Sequence, residues 1–230
     1  MEDVETVSPA VQDYLKAIYL LGETPDGDDP ITVSRVAEAL SVKAPSASNM
    51  LRRLETMEYV CSGGDRRPAV ELTESGRRAA LAVVRRHRLL ETYLATELGM
   101  SWDEVHQEAE VLEHHVSDRL AERMATALGH PERDPHGDPI PTLDGAVEPV
   151  PSARLDDLEP GDSGTVSRVN DRDSELLRYL AERGIVPGAQ ITVVGVEPFG
   201  GPLEVRVNDG AATLARDAAR VVHMDSPVRG

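Results

Sequence analysis

The residues best placed to do chemistry lie in one stretch, DEVHQEAEVLEHHVSDRL, where His106, Glu110, Glu113 and His114 recur at i, i+4, i+7 and i+8. On a helix that spacing puts all four side chains on a single face. Upstream, RRHRLLETYL repeats the theme with His87 and Glu91 at i and i+4. A lone Glu or His is ordinarily a solvated residue. Two such sets in one helical hairpin stack like charges, which is unfavourable unless protons or cations lie between them. A divalent metal is the economical explanation. The donors are oxygen and nitrogen, with no thiolate in the cluster, which suits Mn2+ or Fe2+ better than a closed structural zinc site. His115 points away from this face. Hydrolase and oxidase patterns are missing: Gln107 follows His106, so there is no HExxH, and neither Glu110 nor Glu113 has a histidine three residues on, as a carboxylate-bridged two-metal oxidase requires. With no Gly-rich phosphate loop and no GxSxG, the chain reads as a metal-binding protein that is not an enzyme. A metal-buffering protein or metalloenzyme is the rival from another class.

The elements that must position these residues follow from periodicity. VQDYLKAIYLL, residues 11–21, spaces Val11, Tyr14, Leu15, Ile18, Tyr19 and Leu21 by threes and fours, which predicts an amphipathic helix. GETPDGDDP is a loop. ITVSRVAEALSV is a short helix capped by Thr32 or Ser34, followed by a tight turn at 41–43 and a second helix from Pro45, where the missing N–H costs nothing. Met50, Leu51, Leu54 and Met57 form its buried stripe. VCSGGDRRPAVELT alternates around a Gly-Gly turn and predicts a hairpin. Helix, turn, helix, hairpin is the order of a winged helix-turn-helix. The second helix would offer Pro45, Ser46, Ser48 and Asn49 to a major groove from its first turns, while Arg52, Arg53, Arg66 and Arg67 reach phosphates. Residues 74–128 predict two long helices with a break at 100–102, suited to a core or a dimer interface. PERDPHGDPIPTLDGAVEPVPSA is dense in Pro, Gly and Asp and reads as a linker. GTVSRVN, QITVVGV and LEVRVN then read as strands around one helix, SELLRYLAERG, a small partly open β-barrel. The resulting architecture is mainly α, with a DNA-binding domain over 1–75, dimerisation and metal-binding helices over 76–130, a Pro-rich linker over 131–153 and a C-terminal domain over 154–230.

Forty-one acids against 24 bases give the 230-residue chain a net charge of −17, which on its face argues against a nucleic-acid partner. The distribution reverses that. Residues 1–29 carry eight acids and one base, residues 131–230 eighteen and ten, but residues 30–75 carry six of each. Residues 41–54 hold Lys43, Arg52 and Arg53 with no acid, so the stretch proposed to meet DNA is the neutral one. A single cysteine, Cys61, excludes a disulfide framework and points to a reducing compartment. No apolar run of about 18 residues exists, and MEDVETVSPA is acidic where a signal peptide is basic. A cytoplasmic protein with no membrane partner is expected.

QDYLKAIYLL, the helix-turn-helix, RRHRLLETYL, DEVHQEAEVLEHHVSDRL and HGDPIP together resemble the diphtheria toxin repressor family of metal-dependent transcriptional regulators, in its manganese-responsive branch. The resemblance covers nearly the whole chain. It implies a homodimeric winged-helix repressor that binds double-stranded operator DNA when metal-loaded and controls metal-uptake genes, with a C-terminal domain similar to an SH3 β-barrel. It also implies a primary metal site at Asp13, Glu110, Glu113 and His114, and an ancillary site at His87, Glu91 and His106 completed by Asp173, with Asp171 and Glu175 as alternatives. Two ions per subunit follow, Mn2+ or alternatively Fe2+. Iron-responsive members carry Met and Cys where this chain has Asp13 and Glu110, and replacing soft sulfur by hard oxygen shifts preference toward Mn2+. Short manganese regulators carry a second carboxylate one turn after the Asp. Lys16 stands there instead, which argues against their closely spaced two-metal arrangement.

Overall fold

Apolar spacing of threes and fours produces α1 (Pro9–Gly22), whose Val11, Tyr14, Leu15, Ile18, Tyr19 and Leu21 are all buried. The computed structural model describes residues 7–23, 29–62, 69–151, 153–170, 173–208 and 210–228. It divides into two units: Met1–His87 with Leu112–Arg123 and Pro141–Ala146, and Arg88–Val111 with Met124–Ile140 and Val147–Gly230. In the first, α2 (Val33–Ala39) is capped by Thr32, whose side chain accepts the Arg35 N–H at 3.3 Å. A turn through Ser41, at φ 53°, leads to α3 (Ala44–Thr56). Ala47, Leu51 and Leu54 bury its inner face, while Met50 and Met57 are only half-buried. The two-stranded antiparallel sheet of β1 (Val60–Ser62) and β2 (Val70–Leu72) pairs Val60 with Leu72. Helix, turn, helix, hairpin is therefore the order observed.

α4 (Glu74–Leu98) runs 25 residues and supplies side chains to both units. The second long helix expected after it is in fact two, α5 (Val105–Leu112) and α6 (Asp118–Ala127). Ser117 is the reason: its Oγ accepts the Leu120 N–H and its carbonyl the Ala121 N–H, so a new helix starts there. Glu113 and His114 consequently sit in the turn between helices, not on a face continuous with His106 and Glu110.

In the second unit β3 (Ser163–Val169), β4 (Gln190–Val196), β5 (Leu203–Val207), β6 (Gly210–Leu214) and β7 (Val222–Val228) form an antiparallel sheet in the order β6-β5-β4-β3-β7. Alternate residues face a core of Leu155, Val166, Ile191, Val193, Leu203, Val205 and Met224, to which α7 (Ser174–Ala181) adds Leu177 and Leu180. The expected SH3-like barrel does not close. β6 and β7 are joined through α8 (Arg216–Arg220) and share no ladder among the described residues, leaving an open sheet with two edges. The segment read as a linker is packed over its first part: Asp134, His136, Asp138 and Ile140 are buried, and Arg133 bridges Pro139.

His223 on β7 is buried, with Nδ1 3.2 Å from the Pro151 carbonyl. Burial, reinforced by the Arg168 guanidinium, holds its pKa below the ordinary 6.5. Below 6.5 the unfolded chain therefore takes up this proton before the folded one, so the His223 contribution to stability is present above that range and is lost as pH falls through it. Urea midpoints measured from about pH 7 to about pH 5 should fall less steeply in His223→Gln than in the parent; an unchanged slope would assign the dependence to another group.

Candidate metal centres

α1 brings Asp13 to the turn that holds Glu113 and His114. Asp13 Oδ1 lies 2.9 Å from His114 Nε2, which is 3.7 Å from Glu113 Oε1. One ligand atom from each of the three lies within 4.8 Å of the others. The imidazole is oriented from its far side. Nδ1 is 2.9 Å from Gln12 Oε1, while Gln12 Nε2 donates to the Val7 carbonyl, so the amide oxygen receives the Nδ1–H and Nε2 is turned toward Asp13. Arg86, 3% exposed, ties the parts together: it donates to the Glu113 carbonyl at 3.1 Å, to Asp118 at 2.9 Å and to Gln12 Oε1 at 3.4 Å.

Glu113 is fully buried. Its Oε2 receives the Lys16 ammonium at 2.7 Å and lies 2.5 Å from His87 Nδ1. Oε1 is buried with no hydrogen-bond partner among the described residues. Burial pushes this carboxyl up, but the His87 hydrogen bond and the Lys16 charge outweigh it and hold the pKa below the usual carboxylate range. An ionised, orphaned oxygen facing a second carboxylate and an oriented imidazole is a donor set that fits a hard divalent cation.

A second set lies wholly in the other unit: Glu91 on α4 with Asp134 and His136, all buried, again with ligand atoms within 4.8 Å. His136 Nε2 donates to the Trp102 carbonyl at 2.7 Å, which leaves the Nδ1 lone pair 3.8 Å from Glu91 Oε2. The Trp102 ring stacks on the imidazole, centroids 5.6 Å apart. Asp134 Oδ1 accepts the backbone N–H groups of His136 and Asp138, both at 2.9 Å, while Oδ2 is buried without a hydrogen bond among the described residues. Burial, with the Asp138 and Glu91 carboxylates adding to it and Arg88 and His136 opposing, pushes the Asp134 carboxyl well above the usual range. Gathering carboxylates out of water in this way fits a cation too. Arg88 serves two of these carboxylates, with Nε 3.8 Å from Asp134 Oδ2 and a terminal nitrogen 3.1 Å from Asp138, and Arg168 meets Asp138 at 2.8 Å.

The residues expected from the sequence are thus distributed. Asp13, Glu113 and His114 come together. Glu91 meets His106, whose Nδ1 is 3.0 Å from Glu91 Oε1, and Glu110 stands 3.8 Å from His106 Nε2. His87 is held against Glu113. Asp173 is exposed and caps α7, accepting the Glu175 and Leu176 N–H groups; Glu175 is exposed, and Asp171 lies outside the described residues. Asp134 and His136 were missed because PERDPHGDPIP looks like a linker; the available signal was an aspartate and a histidine two residues apart in it. On α3, Pro45, Ser46, Asn49, Arg52 and Arg53 are exposed and Ser48 is partly so, opposite the buried Ala47, Leu51 and Leu54. Arg66 and Arg67 lie outside the described residues.

Comparison with known proteins gives three domain matches along the chain. Residues 6–66 match the iron-dependent repressor N-terminal DNA binding domain, residues 73–142 the iron-dependent repressor metal binding and dimerisation domain, and residues 153–225 the FeoA domain. The iron-dependent repressor IdeR of Mycobacterium tuberculosis is 35% identical over 224 residues, covering 92% of this chain and 95% of that one. The diphtheria toxin repressor of Corynebacterium glutamicum is 32% identical over 222 residues, covering 92% and 94%. A solved manganese-dependent transcriptional repressor in complex with manganese superimposes with a TM-score of 0.85 at 46% identity, covering 92% of this chain and 97% of that one.

The second set depends on a close approach that only glycine allows. Gly137 has φ +90°, and a Cβ there would lie 2.0 Å from the Ser167 carbonyl oxygen on β3. Gly129 has φ +75° with nothing within 4 Å of a Cβ. Gly137→Ala should therefore cost on the order of 3 kcal/mol in urea unfolding and Gly129→Ala about 1 kcal/mol; equal losses would mean that the contact with β3 yields freely.

Proposed function

The chain belongs to the diphtheria toxin repressor family of metal-dependent transcriptional repressors, and on that premise we propose that it is a manganese-responsive repressor that binds operator DNA as a metal-loaded homodimer and controls metal-uptake genes. Its relatives are repressors, a non-enzymatic class, and it carries that family's DNA-binding and dimerisation domains. No helix among the described residues is long and apolar enough to cross a membrane.

One observation carries the choice of metal: Asp13, Glu113 and His114, and again Glu91, Asp134 and His136, offer only oxygen and nitrogen donors. Hard donors suit Mn2+, and a structure 46% identical to this chain is named for manganese. Two ions per subunit, one at each set, is the corresponding stoichiometry. Fe2+ is the second reading, favoured by the iron-named relatives at up to 35% identity. Affinity alone does not separate the two, because the Irving–Williams order places Fe2+ above Mn2+ at such sites, and selection falls to geometry and supply.

When bound, the metal supplies the positive charge that lets Asp13 and Glu113 stand together. The chain's own residues do the rest. Asp13 rides on α1, and α1 packs on α2 and β2 of the winged helix. Drawing Asp13 to the Glu113–His114 turn fixes that DNA-binding layer against the segment leading into α6, while Gln12 and Arg86 hold the imidazole and the turn in place. Without the metal the two carboxylates repel and α1 is held less tightly. Asp13, Glu113 and His114, once held by a metal, would thereby fix the position of α3, and two copies related by a twofold axis would meet half-sites about one helical turn apart or a multiple of it. The first turns of α3 offer Ser and Asn but no Arg, so sequence preference leans on DNA shape and methyl contacts.

Selection of binding sites from a randomised duplex pool by the full chain tests this reading. With Mn2+ the pool should converge on an inverted repeat, and with a chelator it should not; convergence only with anaerobic Fe2+ would turn the reading to iron, and none with either metal would sink it. On the selected duplex, Glu113→Gln should lose at least about tenfold of the metal-dependent affinity, and Arg53→Ala should lower the salt slope by about 1 with little change in sequence preference.

A further inference from the structure

The turn between α2 and α3 holds one residue in place from both sides. α2 ends in a Schellman arrangement: the Ser41 N–H donates to the Glu38 carbonyl at 3.0 Å and the Val42 N–H to the Ala37 carbonyl at 2.9 Å, with Ser41 in the left-handed region at φ 53°. α3 begins at once. The Lys43 carbonyl accepts the Ser46 and Ala47 N–H groups at 2.9 and 3.1 Å, which makes Lys43 the N-cap. Its backbone is therefore fixed, while its side chain is exposed.

As a cap, lysine is a poor choice. The position favours Ser, Thr, Asp or Asn, whose oxygens accept a first-turn N–H, and the Lys43 side chain makes no such bond. The helix dipole also opposes a cation at this end. A residue that breaks two local rules marks a place where another requirement decides. The turn lies in the part of the chain that matches a DNA binding domain, and a helix-turn-helix enters the major groove with the leading end of its second helix. Ser46, Ser48 and Asn49 are short. Lys43 is the one long donor at that end, and it stands ahead of the first helical residue; Arg52 and Arg53 follow about two and a half turns later. Beside it Val42 is 38% exposed, the only large apolar side chain so exposed among the described residues of that domain. A cation next to bare apolar surface suits a base edge better than open water.

We propose that Lys43 is the base-reading residue of this turn, its ammonium donating to O6 and N7 of a guanine in the major groove of each half-site. This rests on the reading of α3 as the recognition helix of a metal-dependent repressor. Guanine presents two acceptors side by side on its major-groove edge, and a cationic donor to that pair is the commonest specific contact with DNA. Adenine sets an amino group beside its N7, which turns a donor away from an ammonium, and cytosine offers only a donor. The result is a strict preference at one position of an interface whose other contacts follow shape and methyl groups. A lysine on a phosphate has the opposite signature, strengthening binding on all sequences alike.

Lys43→Ser removes the ammonium and installs a good cap, so a melt no lower than the parent's establishes that the variant is folded. Parent and variant, each with Mn2+, select from a randomised duplex pool. Both should recover the same inverted repeat with the same spacing, but one guanine per half-site should be lost from the Lys43→Ser pool and kept in that of Lys43→Arg. The parent should bind the guanine duplex at least about tenfold more tightly than one carrying adenine there, and should also lose affinity for 7-deazaguanine, which lacks the N7 acceptor; Lys43→Ser should bind all three alike. An equal loss of affinity on every duplex, or an unchanged pool, would overturn the proposal and leave the repressor reading intact. No selected repeat from the parent with Mn2+ or with anaerobic Fe2+ would overturn both.

Discussion

A carboxylate removed from water must be compensated, and the first unit is organised around that requirement at Glu113. Its two oxygens are divided between Lys16 and His87 on one side and Asp13 and His114 on the other. Three elements supply these groups: α1, α4 and the turn before α6. The turn exists because Ser117 starts a new helix, which takes Glu113 and His114 off the line of α5. Arg86 then anchors the turn through the Glu113 backbone. Half of the compensation is intramolecular, and the other half is what the proposed metal would supply. On the proposed reading, that division would let a metal control how α1, and with it the winged helix, is held.

The second unit meets the same constraint differently. Glu91, Asp134 and Asp138 are buried together, with Arg88 between Asp134 and Asp138, Arg168 on Asp138 and His136 beside Glu91. The supporting backbone is shared with the C-terminal sheet: the Val169 N–H donates to the His136 carbonyl, and Gly137 lies against Ser167. The loop that carries Asp134 and His136 is thus packed directly on β3. Part of the net charge of −17 belongs to these clustered carboxylates. The neutral α3 stretch, with Arg52 and Arg53 exposed, is what remains to meet DNA.

Much of this was legible in the sequence because it rests on local periodicity. The apolar spacing of α1, the cap at Thr32, the α2–α3 turn and the β1–β2 pairing all follow from neighbouring residues, as do β3, α7, β4 and β5. The helix break at 113–117 did not, since HHVSD has a starting signal in Ser117 but no Gly or Pro to announce a stop. β6 and β7 escaped notice because GAATL and VHMDSPV lack the aromatic and β-branched alternation of their neighbours. The candidate metal ligands divide along the same line. His106, Glu110, Glu113 and His114 stand out by spacing, and Asp13 only by resemblance to a family. Asp134 and His136 sit in an irregular segment whose composition suggests a tether, and only tertiary packing buries them. Asp173, chosen for its place in the C-terminal domain, is spent on capping α7, a local role that its position just before SELLRYL favours.

The central claim is that a metal ion closes Asp13 of α1 onto the Glu113–His114 turn. Anomalous diffraction at the manganese edge, from crystals of the full chain grown with Mn2+, addresses it most directly. The account predicts a peak within coordination distance of Asp13, Glu113 Oε1 and His114 Nε2, with Lys16 still on Glu113 Oε2. Manganese bound elsewhere while those three ligands remain empty would contradict it.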